Sequence, residues 1–540
     1  MKRLLTVLAA AVPLVTAAVY LPTATAESGG STAAPFRCAS DSLALKAPSG
    51  AKIESVAAVS KPAGDVEVPP VTPLPGDTVE NVPAHCQVTI TLGHVGAEDH
   101  AKVQVWLPEH GWNGRFQGLG GSAYAAGDYG SGLAAAVKSG YATATTDAGV
   151  GSYLDVSWAL DGRGEVDRTL LKNFASRSVH EAAVVAKQVI GDVYGRSASY
   201  SYFNGCSTGG RQGYAEAQSH PGDYDGILAD APGINWDEFE VATAWPQVVM
   251  NEEHSYPSAC ELTLATQSAV KACDTLDGAA DGIIGDPAAC HYDPRRLIGT
   301  TLECDGKKVT FSAADAAVVR KIWEGPRSTS GQKLWYGPSI GSDLTVLAAS
   351  DGVSVGSPFP VPSEWISTFV KKQSDYNVAT ASYSEFQKLF RQSQAEYDKV
   401  IGTDDPDLSG FRKSGGKLLT WQGQADQLIP TQGTVDYRER VEKKLGGAQR
   451  VDDFYRVFLA PGVNHCAGDG NTGPAPTDAL GSLVDWVEHG KAPRTLDAAV
   501  TDASGKKVTR DLCLYPRVPQ YKGHGDVADA SSFRCVAPRH

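Results

Sequence analysis

Residues 100–107 alternate between apolar positions (Ala101, Val103, Val105, Leu107) and the rest of the run with a period of two. That is the pattern of a strand with one buried face. Residues 114–121 predict the next strand, entering a turn at Gly118-Leu119-Gly120-Gly121, and residues 141–146 a third. From about 168 to 190 the period changes. Leu171, Phe174, Ala182, Val185 and Val189 recur at helical spacing and predict a long helix. It leads into the apolar run Tyr200-Ser201-Tyr202-Phe203, and residues 211–218 read as helix again. Such alternation predicts an α/β fold, a mostly parallel sheet covered on both faces. The rhythm stops after residues 224–232 and resumes at Lys417-Leu418-Leu419-Thr420-Trp421, with a further apolar run over 454–459. The intervening stretch carries Trp236, Trp245, Trp323, Trp335 and Trp365, four cysteines and many Gly, Pro and Ser breaks. It reads as an inserted lid domain whose aromatics form a small core, with a few facing a ligand.

Composition narrows the class. Lys2-Arg3, an apolar stretch from Leu4 to Val19 and Ala24-Thr25-Ala26 predict a secretory signal peptide over 1–26, so the mature chain is expected to be secreted and extracellular. Loss of Lys2 and Arg3 takes the formal charge from −14 to −16. With no basic cluster and no later apolar run long enough to span a bilayer, neither nucleic acid nor a membrane is an expected partner. Ten cysteines in an exported chain suggest five disulfides.

Three segments match G-x-S-x-G, centred on Ser207, Ser339 and Ser354. Only Gly205-Cys206-Ser207-Thr208-Gly209 has a strand before it and a helix after it, the setting of a nucleophile elbow in an α/β-hydrolase. Attack by a serine also needs a base and a carboxylate that fixes the base's tautomer, in the chain order Ser, Asp, His. His465, after the apolar run 454–459, is the candidate base. Asp426, in the loop after Lys417-Leu418-Leu419-Thr420-Trp421, is the candidate carboxylate, with Asp436 as the fallback. The oxyanion of the tetrahedral intermediate would rest on the N–H of Thr208 and on one from the turn at Gly120 or Gly121. Cys206 and Cys466 stand directly beside Ser207 and His465. A disulfide between them would hold their Cα atoms within about 7 Å and so bring nucleophile and base together. A second cluster, Asp274, Asp277 and Asp281 with Gly278 and Gly282, offers the hard oxygens and tight turns that suit Ca²⁺, without the closing glutamate of an EF-hand.

The segments Gly205-Cys206-Ser207-Thr208-Gly209-Gly210-Arg211, the loop around Asp426 and Asn464-His465-Cys466 resemble the tannase/feruloyl esterase family of secreted serine esterases, over nearly the whole chain from about Cys38. The resemblance implies a Ser207-His465-Asp426 triad, a Cys206–Cys466 disulfide, and one catalytic domain (27–232 and 411–540) interrupted by a lid (233–410). It implies a structural calcium held by Asp274, Asp277, Asp281 and the carbonyls of Ala279 and Ile283, with no organic cofactor. Together with sequence proximity it suggests the further pairs Cys38–Cys86, Cys273–Cys290, Cys260–Cys304 and Cys513–Cys535. The implied substrates are aromatic acyl esters. Feruloyl esters of plant cell-wall polysaccharides come first, with galloyl esters of tannins or other aromatic mono-esters as the alternative. A binding protein on a hydrolase fold, a serine peptidase and an acyltransferase are the readings from other classes.

Overall fold

The computed structural model describes residues 36–70, 76–127, 130–468 and 470–538; the leader expected over 1–26 lies outside them. A nine-stranded sheet forms the centre: β1 (Ala51–Lys61), β2 (His85–His94), β3 (Ala101–Pro108), β4 (Arg115–Leu119), β5 (Ala142–Thr146), β6 (Tyr200–Cys206), β7 (Gly226–Asp230), β8 (Lys417–Gly423) and β9 (Tyr455–Ala460). Their spatial order is β1-β2-β3-β5-β4-β6-β7-β8-β9. From β5 to β9 all neighbours are parallel, whereas β1, β2, β3 and β5 pair antiparallel. This is an α/β-hydrolase sheet, antiparallel at its N-terminal side. Two of its strands, β1 and β2, are absent from the pattern given above.

Helices cover both faces. The long helix predicted before the elbow runs as Arg168–Lys172, a π turn over Asn173–Arg177 and then α1 (Ser178–Tyr194). Val179, Ala183, Ala186 and Val189 of α1 pack with Val103, Val105, Phe203 and Ile227 in one apolar layer. On the other face Leu483 and Trp486 pack with Tyr202, Leu419 and Phe458. Between β7 and β8 the chain leaves the sheet for residues 231–416, mainly as helices. Their core is shared with the sheet's loops: Trp236, Trp365 and Phe369 join Tyr124 and Phe174 in one cluster. Trp365 stacks on Phe369 at 4.7 Å between ring centroids. The described chain from Phe36 onward accordingly packs as one compact unit.

Four disulfides are formed: Cys38–Cys86, Cys206–Cys466, Cys273–Cys290 and Cys513–Cys535. The expected fifth pair, Cys260–Cys304, is instead a pair of free thiols. The Cys304 thiol, hydrogen-bonded to Cys260, pushes the Cys260 thiol up to about 11. Cys304 Sγ also lies 3.7 Å from Ser258 Oγ. The two sulfurs meet as hydrogen-bonding partners and not at the roughly 2.05 Å of a covalent bond.

Candidate active site

β6 ends at Cys206 and the helix α2 (Thr208–Ser219) begins at Thr208, so one residue must turn the chain between them. Ser207 does so at φ 62°, ψ −122°, a conformation that costs a residue with a side chain about 1–3 kcal/mol and persists only where its surroundings impose it. They do. Ser207 N–H donates to the Asp230 carbonyl at 3.0 Å, and its own carbonyl accepts from Arg211 N–H at 3.0 Å and Gly233 N–H at 3.1 Å. Glycine is required at the flanks, because a Cβ on Gly205 would stand 2.7 Å from Gly209 Cα and one on Gly120 only 2.4 Å from that same atom. Ser339 and Ser354 lie in irregular segments of the insertion, without strand or helix around them.

Asp426 follows β8 and is buried. Its Oδ1 accepts from the N–H groups of Leu428 and Ile429, both at 2.9 Å, and its Oδ2 lies 2.9 Å from His465 Nδ1. A carboxylate can only accept there, so the imidazole proton sits on Nδ1 and Nε2 presents a lone pair. His465 is fixed from a second side by its own N–H, which donates to Gln427 Oε1 at 3.0 Å. The Cys206–Cys466 bridge, with Cα atoms 6.1 Å apart, ties the elbow to the histidine loop, where Cys466 and Ala467 adopt φ of 53° and 54°. The fallback Asp436 is engaged elsewhere, by Arg440 at 3.0 Å and the Tyr336 hydroxyl at 3.2 Å.

The glycine turn does not supply the expected oxyanion donor. Gly120 N–H donates to the Asn204 carbonyl at 3.1 Å, continuing the β4–β6 ladder, and Gly121 N–H donates to Gln212 Oε1 at 2.9 Å. Both are spent. Thr208 N–H, in the first turn of α2, meets no acceptor among the described residues, as expected for a helix start. Ala123 is in the same position: it lines the cavity, has φ 48°, and its N–H meets no described acceptor. The Thr208 hydroxyl donates to the Ala123 carbonyl at 2.7 Å, clamping the turn to the elbow. Nothing in the sequence marks Ala123, because its unpaired N–H depends on a left-handed backbone at a residue other than glycine.

Ser207, Thr208, Ala123 and His465 border one cavity of about 1110 Å³, a little above the roughly 300–1,000 Å³ usual for small-molecule sites. The insertion adds apolar walls, among them Trp236, Phe239, Phe359 and Val361. Behind the elbow, Arg211 is wholly buried beside the rings of Phe174 and Trp236. It donates to the carbonyls of Phe174 at 3.1 Å and Ala175 at 2.5 Å, both within the π turn. Burial lowers its pKa to about 9, against the pull of Glu240.

Two clusters could concern a metal. In the acidic loop, Asp274 Oδ1 accepts from the N–H groups of Asp281 and Gly282, Asp277 Oδ1 from Ala279 and Asp281 Oδ1 from Ile283, at 2.9–3.1 Å. Each carboxylate thereby folds the loop with one oxygen. Burial, and then the charges of Asp281 and Asp274, push Asp277 up to about 6 against the opposing Ala279 N–H and Arg510. Gly285 keeps space open at Asp277 Oδ2, since a Cβ there would lie 2.5 Å from it. The donor set and this opening fit a calcium ion, although Asp281 Oδ2 is also paired with Arg510. The second cluster is His180, His220 and Asp223. The two imidazoles are stacked with centroids 3.8 Å apart and 9° between planes, and His180 Nδ1 lies 2.5 Å from Asp223 Oδ2. Rings so nearly parallel cannot share an ion lying in both planes, so this is a stacked histidine pair with His180 hydrogen-bonded to Asp223.

Residues 86–536 match the sequence profile of the family described as tannase and feruloyl esterase. A probable feruloyl esterase of Arthroderma benhamiae is 46% identical over 497 residues, covering 90% of this chain and 91% of its own. Feruloyl esterase B of Aspergillus niger is 32% identical, covering 84% and 86%. Among solved structures, the tannin acyl hydrolase of Aspergillus niger superposes with a TM-score of 0.80 at 26% identity, covering 91% of this chain and 92% of that one. An elbow serine, a histidine–carboxylate pair and a deep aromatic-walled cavity thus sit on a chain that belongs, by sequence over most of its length, to the tannase and feruloyl esterase family of carboxylic ester hydrolases.

Proposed function

We propose that this protein is a secreted serine esterase that cleaves feruloyl and related hydroxycinnamoyl esters of plant cell-wall polysaccharides. The observation that carries the chemistry is His465 held on Asp426 at 2.9 Å, on a loop bridged to the strained Ser207. Ser207 attacks the ester carbonyl while His465 Nε2 takes its proton, and Asp426 stabilises the imidazolium. The oxyanion rests on the N–H groups of Thr208 and Ala123. The alcohol leaves with the proton from His465, and water repeats the cycle on the acyl-enzyme to release the acid. Residues 233–410 act as the lid of this site. The feruloyl acyl group is favoured because a probable feruloyl esterase, that of Arthroderma benhamiae, is 46% identical over 90% of this chain.

A calcium ion on Asp274, Asp277 and Asp281, with the carbonyls of Ala279 and Ile283, neutralises the charges crowded in that loop and takes no part in ester cleavage. Secretion is supported by the leader expected over 1–26 and by four disulfides, which persist in oxidising compartments. Among the described residues no helix is long and apolar enough to cross a membrane. The test is turnover of methyl ferulate, methyl p-coumarate, methyl gallate and a terephthalate mono-ester by the enzyme and by Ser207→Ala. Hydroxycinnamate esters should be cleaved fastest, and Ser207→Ala should cleave none. Preference for the gallate would reassign the enzyme to tannins, and turnover surviving in Ser207→Ala would refute the nucleophile.

A further inference from the structure

The helix Trp236–Thr243 opens the insertion, and four of its residues border the cavity: Trp236, Phe239, Glu240 and Thr243. Their spacing of three, four and seven places them on one face, so the side chains of this face form the wall. Three suit an aromatic ligand. The fourth is a carboxyl group on a cavity wall that also holds Trp236, Phe239, Phe359 and Val361, and Glu240 is only 3% exposed.

A carboxyl buried in apolar surroundings is costly unless something pairs with it. No described side chain or backbone group hydrogen-bonds to the Glu240 carboxyl. The positive charge of Arg211 acts on it, but that guanidinium donates to the carbonyls of Phe174 and Ala175 and reaches Glu240 only through space. Burial holds Glu240 well above the usual carboxylate range, with Arg211 opposing. As a neutral acid the group offers one donor and one acceptor together. That is the complement of a hydroxyl, which also donates and accepts.

We propose that Glu240 recognises a hydroxyl group on the aromatic ring of the substrate. This rests on the aromatic-ester reading above and narrows it. The ring lies against Trp236 and Phe239, and its hydroxyl completes the hydrogen bonding that the protein leaves open. A ring without a hydroxyl strands the Glu240 carboxyl against hydrocarbon, so the same residue selects for one substrate and against the other. Sites built to hydrogen-bond a substrate hydroxyl discriminate strongly against analogues that lack it.

The test is the ratio of kcat/KM for methyl p-coumarate to that for methyl cinnamate, which differ only by the ring hydroxyl, in the wild type, Glu240→Leu and Glu240→Gln. The ratio is internal to each preparation, so any change in the amount of folded enzyme cancels. In the wild type it should exceed about 10, in Glu240→Leu it should fall at least tenfold, and in Glu240→Gln, whose amide still donates and accepts, most of the preference should remain. A wild-type ratio near one, or an equal ratio in wild type and Glu240→Leu, overturns the proposal and leaves the aromatic-ester reading intact. A wild type that cleaves p-nitrophenyl acetate but neither cinnamate sinks that reading, and the role of Glu240 with it.

Discussion

Replacing Asp426 with asparagine is the sharpest test of the histidine's tautomer. Asp426 Oδ1 accepts two backbone N–H groups, from Leu428 and Ile429, each at 2.9 Å. In Asp426→Asn the amide oxygen must keep that place, because an NH₂ group there would face two donors and forfeit both bonds. The amide nitrogen is then forced toward His465 Nδ1, where the carboxylate oxygen stood at 2.9 Å. Two donors cannot face each other, so the imidazole proton moves to Nε2 and the lone pair that should take the serine's proton is gone. The residue stays buried and its loop bonds survive, so folding should be nearly untouched. The chemical step should not. An asparagine at this position of a serine triad lowers kcat by roughly 10⁴-fold through the wrong tautomer, or about 5.5 kcal/mol at 1.36 kcal/mol per decade. Single-turnover kinetics with methyl ferulate, beside a melting curve, measure both quantities. A loss below about tenfold with an unchanged melting temperature would refute the assignment of Asp426, since the histidine would then not depend on it for its proton.

Three further outcomes are expected. Cys206→Ala/Cys466→Ala opens a loop spanning 260 residues of sequence; the chain-entropy ceiling is about 5 kcal/mol of stability, and kcat should fall about 100-fold as Ser207 and His465 lose alignment by near 1 Å. Full activity of that variant would show that the bridge does not position them. Chelation of calcium should lower the melting temperature while leaving initial turnover largely intact, and an enzyme free of calcium by metal analysis, with a melting temperature indifferent to chelator, would remove the ion from the account. Asp237, buried beside Glu238, Asp398 and Asp404, is pushed up to about 8, first by burial and then by those charges. Because its pKa is higher folded than unfolded, the stability it contributes is complete below about pH 4 and lost as pH rises toward 8. Asp237→Asn should therefore flatten the fall in melting temperature between pH 5 and 8 and be the more stable protein at the upper end; a variant that follows the wild-type curve would place the pH sensitivity elsewhere.

Most of the sheet was legible because local pattern and tertiary role coincide. Val103, Val105 and Leu107 alternate with Lys102 and Gln104 because only one face of β3 is apolar along its whole length, and the long helix keeps its period through the π turn. β2 was equally readable, since Val88, Ile90 and Leu92 alternate with Thr89 and Thr91. β1 was not. It is an edge strand whose residues are exposed or half-buried, so its sequence carries little apolar signal. The bond missing between Cys260 and Cys304 is invisible for a different reason: two sulfurs within hydrogen-bonding reach and two sulfurs bonded require the same spacing of the chain.

The oxyanion turn shows where sequence reasoning stops. A glycine in a turn signals close backbone approach, and Gly120 does approach the elbow closely: a Cβ on it would collide with Gly209. It does not follow that its N–H is free. Freedom depends on what else is within reach, and here the takers are a carbonyl of the neighbouring strand and Gln212, a side chain on α2 some 90 residues away. The packing need and the hydrogen-bond need at one turn are thus met by different residues. Glycine at 120 lets the backbones touch, and Ala123, held by the Thr208 hydroxyl, keeps an N–H in hand. The same division holds on the insertion helix, where Trp236 and Phe239 shape the wall and Glu240 carries the unspent hydrogen bonds. In both places the group we propose as functional is one whose partners the fold leaves out, and that property belongs to the assembled structure and not to any segment of the chain.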